Sequence, residues 1–152
     1  MKITPGCVSK ILVSQNWIFF TIYSHKREKN DVLETGQILR VPVEQIFNEK
    51  FDQLIKKTDA IMDAVLLSNC FIILCKTNLT IFNFDLKEIY KKDLKSTGLR
   101  IAAHDFIFQE IENYKIPFFA VVTINGELFI NNRTYKISND PLWAVTIYKN
   151  DI

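Results

Sequence analysis

The sequence predicts an all-β fold, and three observations carry the prediction. An apolar strand, a tight polar turn and an alternating apolar strand follow one another three times. The first copy is Trp17-Ile18-Phe19-Phe20-Thr21-Ile22-Tyr23, a long insert, then Gly36-Gln37-Ile38-Leu39-Arg40-Val41. The second is Phe71-Ile72-Ile73-Leu74-Cys75, Thr77-Asn78, then Leu79-Thr80-Ile81-Phe82-Asn83-Phe84. The third is Phe118-Phe119-Ala120-Val121-Val122-Thr123, Asn125-Gly126, then Glu127-Leu128-Phe129-Ile130. Second, the turn residues Gly36, Asn78 and Gly126 lie 42 and then 48 positions apart. Third, twelve Phe and five Tyr favour strands over helices. A repeat of roughly 40–45 residues containing several short strands marks a WD-type β-propeller blade.

The elements follow in order. Cys7 to Val13 reads as a first strand, and Gln15-Asn16 as a turn. Trp17 to Tyr23 is nearly continuous in apolar character, as a strand buried on both faces is. His25 to Thr35 holds four basic or histidine residues against three acids and reads as a long exposed hairpin loop. Gly36 to Val43 is a third strand, ended or made irregular by Pro42. Gln45 to Phe51 suits a fourth strand or a short helix. Phe51 to Thr58 reads as a linker, with helical spacing at Phe51, Leu54 and Ile55.

The second unit comprises Ala60–Leu67, Phe71–Lys76, Leu79–Phe84 and Glu88–Leu94. The third runs from Leu99 to about Ile137, with His104-Asp105-Phe106-Ile107-Phe108 in its first strand and a loop over Gln109–Lys115. Leu142-Trp143-Ala144-Val145-Thr146-Ile147-Tyr148 aligns with Ile61-Met62-Asp63-Ala64-Val65-Leu66-Leu67 and opens another unit. The expected organisation is one partial propeller domain, 1–152. Blade 1 spans about 5–52, blade 2 about 60–95 and blade 3 about 99–137, with the start of a fourth at about 142–148. Propellers hold four or more blades, so the pattern is that of the first part of a larger ring, belonging to a longer chain or completed by a second one, or else that of an open β array.

The formal net charge is +2. Lysines alternate with acids, and no basic stripe forms, which argues against nucleic-acid binding. No apolar run reaches the roughly 18–20 residues of a membrane helix. The segment Met1-Lys2-Ile3-Thr4-Pro5-Gly6 lacks the apolar core of a signal peptide. Cys7, Cys70 and Cys75 are odd in number and without CxxC spacing, so free thiols in a reducing, cytoplasmic setting are expected. Two of them flank or enter an apolar strand and should be buried. Three Cys and two distant His do not make a metal site, and nothing points to a cofactor.

The order of motifs adds a resemblance. Thr4-Pro5-Gly6-Cys7-Val8 is followed by Thr35-Gly36-Gln37-Ile38-Leu39-Arg40-Val41, then Thr58-Asp59-Ala60-Ile61-Met62-Asp63-Ala64, then Asn139-Asp140-Pro141-Leu142-Trp143-Ala144-Val145. This succession, from Thr4 to Ile147, resembles the N-terminal half of the WD-repeat diphthine methyl ester hydrolases of diphthamide biosynthesis. The chain departs from that family at Met62, where an aliphatic residue is expected. It also lacks the family's His ahead of Trp143. The resemblance implies an esterase that removes a methyl ester from a modified histidine of the translation translocation elongation factor.

Ester hydrolysis needs an activated water or nucleophile and donors for the oxyanion. No Gly-x-Ser-x-Gly elbow occurs. The candidate catalytic residues are His104, Asp105 and Asp63. Each has a plainer reading: His104 as a histidine bonded to a turn, and Asp63 as a structural carboxylate tying adjacent turns together. His25 belongs to the charged insert and reads as solvated. Trp17 and Trp143 read as blade-packing residues, with Trp143 also placed to line a channel. The competing class is a non-catalytic WD-repeat scaffold that binds a protein through its loops, the insert His25–Thr35 foremost. A propeller subunit of a trafficking or nuclear-pore assembly is a third reading.

Overall fold

A computed structural model describes residues 6–48, 53–130 and 132–148. The described residues form twelve strands in three four-stranded antiparallel sheets. The first sheet holds β1 (Cys7–Val13), β2 (Trp17–Glu28), β3 (Asp31–Pro42) and β4 (Leu54–Thr58). The second holds β5 (Ile61–Leu66), β6 (Cys70–Cys75), β7 (Asn78–Asn83) and β8 (Glu88–Asp93). The third holds β9 (Gly98–Ile111), β10 (Tyr114–Thr123), β11 (Glu127–Ile130) and β12 (Arg133–Lys136). Strands pair in sequence order within every sheet, so each is a simple meander. β5 lies against both β1 and β9. The first strand of each sheet therefore lines one side, and the sheets fan outward as propeller blades do.

Alternation along β6 shows how the blades stack. All six of its residues are buried. Phe71, Ile73 and Cys75 enter the core shared with the first sheet, beside Leu12, Phe19 and Ile38. Cys70, Ile72 and Leu74 enter the core shared with the third sheet, beside Ile101, Phe119 and Val121. A strand with apolar side chains on both faces is the expected centre of a three-layer stack. Phe19 and Phe71 join the first two layers with ring centroids 4.8 Å apart.

Several local expectations are corrected. His25–Thr35 is not a loop: β2 continues to Glu28, β3 begins at Asp31, and Lys29 turns in the left-handed region (φ 51). The charged residues suit a protruding ribbon because both its faces meet water at the tip. Tyr23 Oη also donates to Glu34 at 2.8 Å, and Lys76 of the second sheet donates to the same carboxylate, anchoring the ribbon.

Gln109–Lys115 is likewise no loop. The β9–β10 ladder runs to Ile111 and Tyr114, turning on Glu112 and Asn113 at φ 51 and 70. Two left-handed residues match the twist of a hairpin. Ile111 and Ile116 hold that hairpin down in the core of the second and third sheets.

The presumed linker 51–58 supplies the fourth strand of the first blade. Leu54–Thr58 pairs with Gly36–Arg40, and residues 51 and 52 lie outside the described residues. The ladder offered by β3 outweighs the partial helical spacing. Of the segment Gln45–Phe51, read as a fourth strand or a short helix, only Gln45 is helical, as the last residue of a single 3-10 turn, Val43–Gln45; residues 49–51 lie outside the described residues. Trp143 does not pack within a blade and is 67% exposed. Among the described residues, Leu142–Tyr148 joins no ladder. At the Asn125-Gly126 turn, Gly126 has φ +71, and a Cβ there would meet the Ser138 carbonyl at 2.2 Å. Only glycine fits that crossing.

Candidate functional site

Because neighbouring strands run antiparallel, the β1–β2, β5–β6 and β9–β10 turns share one rim. The β2–β3, β6–β7 and β10–β11 turns share the other. The candidate residues are distributed between the inner strands and the first rim.

Asp63, on β5, is a junction of three blades. Its Oδ1 accepts from Lys10 Nζ of β1 at 2.6 Å and from the Ala64 amide at 2.9 Å. Its Oδ2 accepts the Ile101 amide of β9 at 3.1 Å. Lys10 Nζ also donates to the Ala64 carbonyl. The side chain of Asp63 is 12% exposed, and both of its oxygens are engaged in holding inner strands together.

Asp105, on β9, reaches back to the second blade. Its Oδ1 accepts from the Ser68 amide at 2.7 Å and from Ser68 Oγ at 2.6 Å. Ser68 sits in the β5–β6 turn, so this carboxylate clamps the rim of blade 2 to blade 3.

His104 precedes it on the strand and faces the other way. Its Nδ1 accepts the Phe106 amide at 3.1 Å, and its ring meets Phe106 edge-on at 6.1 Å. When Nδ1 accepts, the neutral ring carries its proton on Nε2. The free nitrogen is then a donor rather than a base. No hydrogen bond joins His104 to Asp105 or Asp63 among the described residues. The three candidates do not form one acid–base constellation. Among the described residues, no group of three His, Cys, Asp or Glu could hold a metal ion, and no helix is long and apolar enough to cross a membrane.

A feature the sequence reading passed over lies between these groups. In the β9–β10 ladder Phe118 pairs with His104, but Pro117 pairs with Phe108. Asp105, Phe106 and Ile107 thus have no partner on β10 and bulge from the sheet. Phe106 is 79% exposed, with Ile107 and Phe108 about half exposed. Lys115 Nζ lies 5.2 Å from the centre of the Phe108 ring. The sequence signal was present: three bulky apolar residues run on where a half-buried strand would alternate.

On the opposite rim, Asn78 Nδ2 donates to Asp59 Oδ2 at 2.9 Å. The Lys76 ammonium, then the Tyr23 hydroxyl, hold the Glu34 carboxyl below the usual glutamate range. The same hydrogen bond raises the Tyr23 phenol.

No family model matches the chain, and no curated protein matches it. Among solved structures it is similar to BBS1N, a β-propeller crystallised in complex with ARL6DN. The TM-score is 0.56 at 14% identity. The likeness covers 93% of this chain and 43% of that one, so this chain spans less than half the length of its structural neighbour. At that identity the likeness speaks to the fold, and with the three stacked meanders it makes this chain part of a β-propeller.

Proposed function

We propose that this chain is a protein-interaction module, and that Phe106-Ile107-Phe108, at and beside the bulge, is its contact surface. The observation that carries the reading is the exposure of three consecutive apolar side chains on one rim. Exposed apolar surface of this kind is a usual mark of a binding site. The bulge is also anchored at its base by the Asp105–Ser68 and His104–Phe106 hydrogen bonds. Pre-anchoring lowers the ordering cost of binding. The structural neighbour, itself bound to a protein, supports the same class of role.

The motif order from Thr4 to Ile147 favours a second reading, methyl ester hydrolysis on the translation elongation factor. One experiment separates them. Binding and ester turnover are measured with the diphthine-modified factor, for the wild type and for a Phe106→Ser/Phe108→Ser double variant. The interaction reading expects binding without turnover, weakened about tenfold or more in the variant. Turnover lost on His104→Ala would establish the hydrolase instead. Binding that the double variant leaves unchanged would remove the bulge from the interface.

A further inference from the structure

The bulge on β9 is fixed at both ends, and its middle is held by an imidazole. At its start the Asp105 carboxylate accepts from the Ser68 amide and hydroxyl of blade 2, at 2.7 and 2.6 Å. Past its end Phe108 rejoins the ladder opposite Pro117, and Gln109 Nε2 donates to the Pro117 carbonyl at 3.2 Å. Between these points Asp105, Phe106 and Ile107 have no ladder partner on β10. The Phe106 amide donates instead to His104 Nδ1, at 3.1 Å.

That acceptor exists in one charge state of the ring. Neutral imidazole offers one bare nitrogen, whereas imidazolium carries hydrogen on both. Imidazole is also the side chain that changes charge between about pH 5 and pH 8. A proton on Nδ1 would set N–H against N–H and break the bond to Phe106. Phe106 is 79% exposed, so little packing stands in for the lost bond.

No other titratable group shares this bond. On β9 itself Asp105 is turned to Ser68, and Arg100 donates to the Leu99 carbonyl. On β10 the Lys115 ammonium lies beside the Phe108 ring, and the residue opposite His104 is the apolar Phe118. On β5 and β6, which pack against β9, Asp63 is taken by Lys10 and two amides, and Cys70 is a buried thiol. Leu142–Tyr148 carries no charged residue.

We propose that His104 is a pH-sensitive latch on the apolar surface: the neutral ring holds Phe106 in the bulge, and the protonated ring releases it. The regulatory consequence rests on the reading of Phe106-Ile107-Phe108 as the contact surface. A pre-anchored surface binds at less ordering cost, so a partner is held at about pH 8 and let go at about pH 5.

The latch is read on the free chain, by amide exchange with water at about pH 8 and about pH 5, each rate taken relative to an unstructured peptide. The wild-type Phe106 amide should be protected about fivefold or more at the higher pH and unprotected at the lower. His104→Asn supplies a side-chain oxygen that accepts from the amide two residues on and does not titrate. It should keep the protection at both values, and His104→Ala at neither. The Ser68 amide, bonded to Asp105, should stay protected throughout in all three proteins. Equal protection of the wild-type Phe106 amide at both values would overturn the proposal. So would a loss at the lower value that persists in His104→Asn, or one shared by the Ser68 amide. Binding of the diphthine-modified factor is scored apart. The wild type should bind it about fivefold more weakly at the lower pH and His104→Asn equally at both, and an equal fall in the two would overturn the regulation. A working latch in a chain whose Phe106→Ser/Phe108→Ser variant binds as the wild type does would overturn the regulation together with the contact reading, and leave the latch itself standing.

Discussion

Asp63 of β5 accepts the backbone amide of Ile101 of β9 at 3.1 Å. The same carboxylate takes the Lys10 ammonium of β1 at 2.6 Å. One side chain therefore spans the inner strands of three blades. Buried main-chain donors are costly to leave unmet, and Asp63 satisfies two of them.

Asp63→Ala should destabilise the chain by roughly 1–3 kcal/mol, through the unmet donors more than through the ion pair. Lys10 is 43% exposed, so the charge interaction itself is worth little. Asp63→Asn keeps one acceptor oxygen and should cost less than Asp63→Ala. Urea denaturation of the three proteins checks the order. Equal stability in all three would show that the carboxylate does not hold the blades.

The same contrast marks how far the sequence could be read. The apolar run Phe71–Cys75 announced a strand, and Cys70 and Cys75, five positions apart and so expected on opposite faces, do enter opposite cores. The turn at Asn125-Gly126 was legible because positive φ has a residue signature. The ribbon His25–Glu34 was not, because charge along a strand looks the same as charge along a loop. Leu54–Thr58 was missed because its partner β3 lies more than a dozen residues away. The roles of Asp63 and Asp105 depend on partners 53, 38 and 37 positions distant. No local pattern encodes such pairs. The bulge depends on register between β9 and β10, and a sequence shows only its apolar run.

Glu34 links the protruding ribbon of the first blade to Lys76 of the second. Its folded carboxyl titrates below the usual glutamate range, chiefly because Lys76 donates to it. The stability this contributes is fully present above the ordinary value of 4.5 and is lost as pH falls through the lowered folded value. Tyr23 behaves in the opposite sense. Its phenol is raised by its bond to Glu34, so that contribution is complete below 10.0 and fades as pH rises through the raised folded value. The urea midpoints of wild type and Glu34→Gln should thus differ most between these limits and converge at both extremes. A constant difference from about pH 3 to about pH 11 would separate Glu34 titration from stability.

The cysteines should divide into one reactive thiol and two silent ones. Cys7 is exposed, whereas Cys70 and Cys75 are buried and free. Burial pushes the Cys70 thiol up to about 11 and the Cys75 thiol up to about 12. The nucleophile in thiol exchange is the thiolate, which is scarce at both sites near neutral pH. Their positions in two different cores also mean that reagent access requires two different blade contacts to open. A chromogenic disulfide reagent at about pH 8 should therefore titrate one thiol in the native chain and three in denaturant. Cys7→Ser should abolish the fast phase and leave the slow ones unaltered. If Cys70 or Cys75 reacts as fast as Cys7 in the native state, the blade stack opens too readily for the packing around Phe71 and Ile72 to be its stable core.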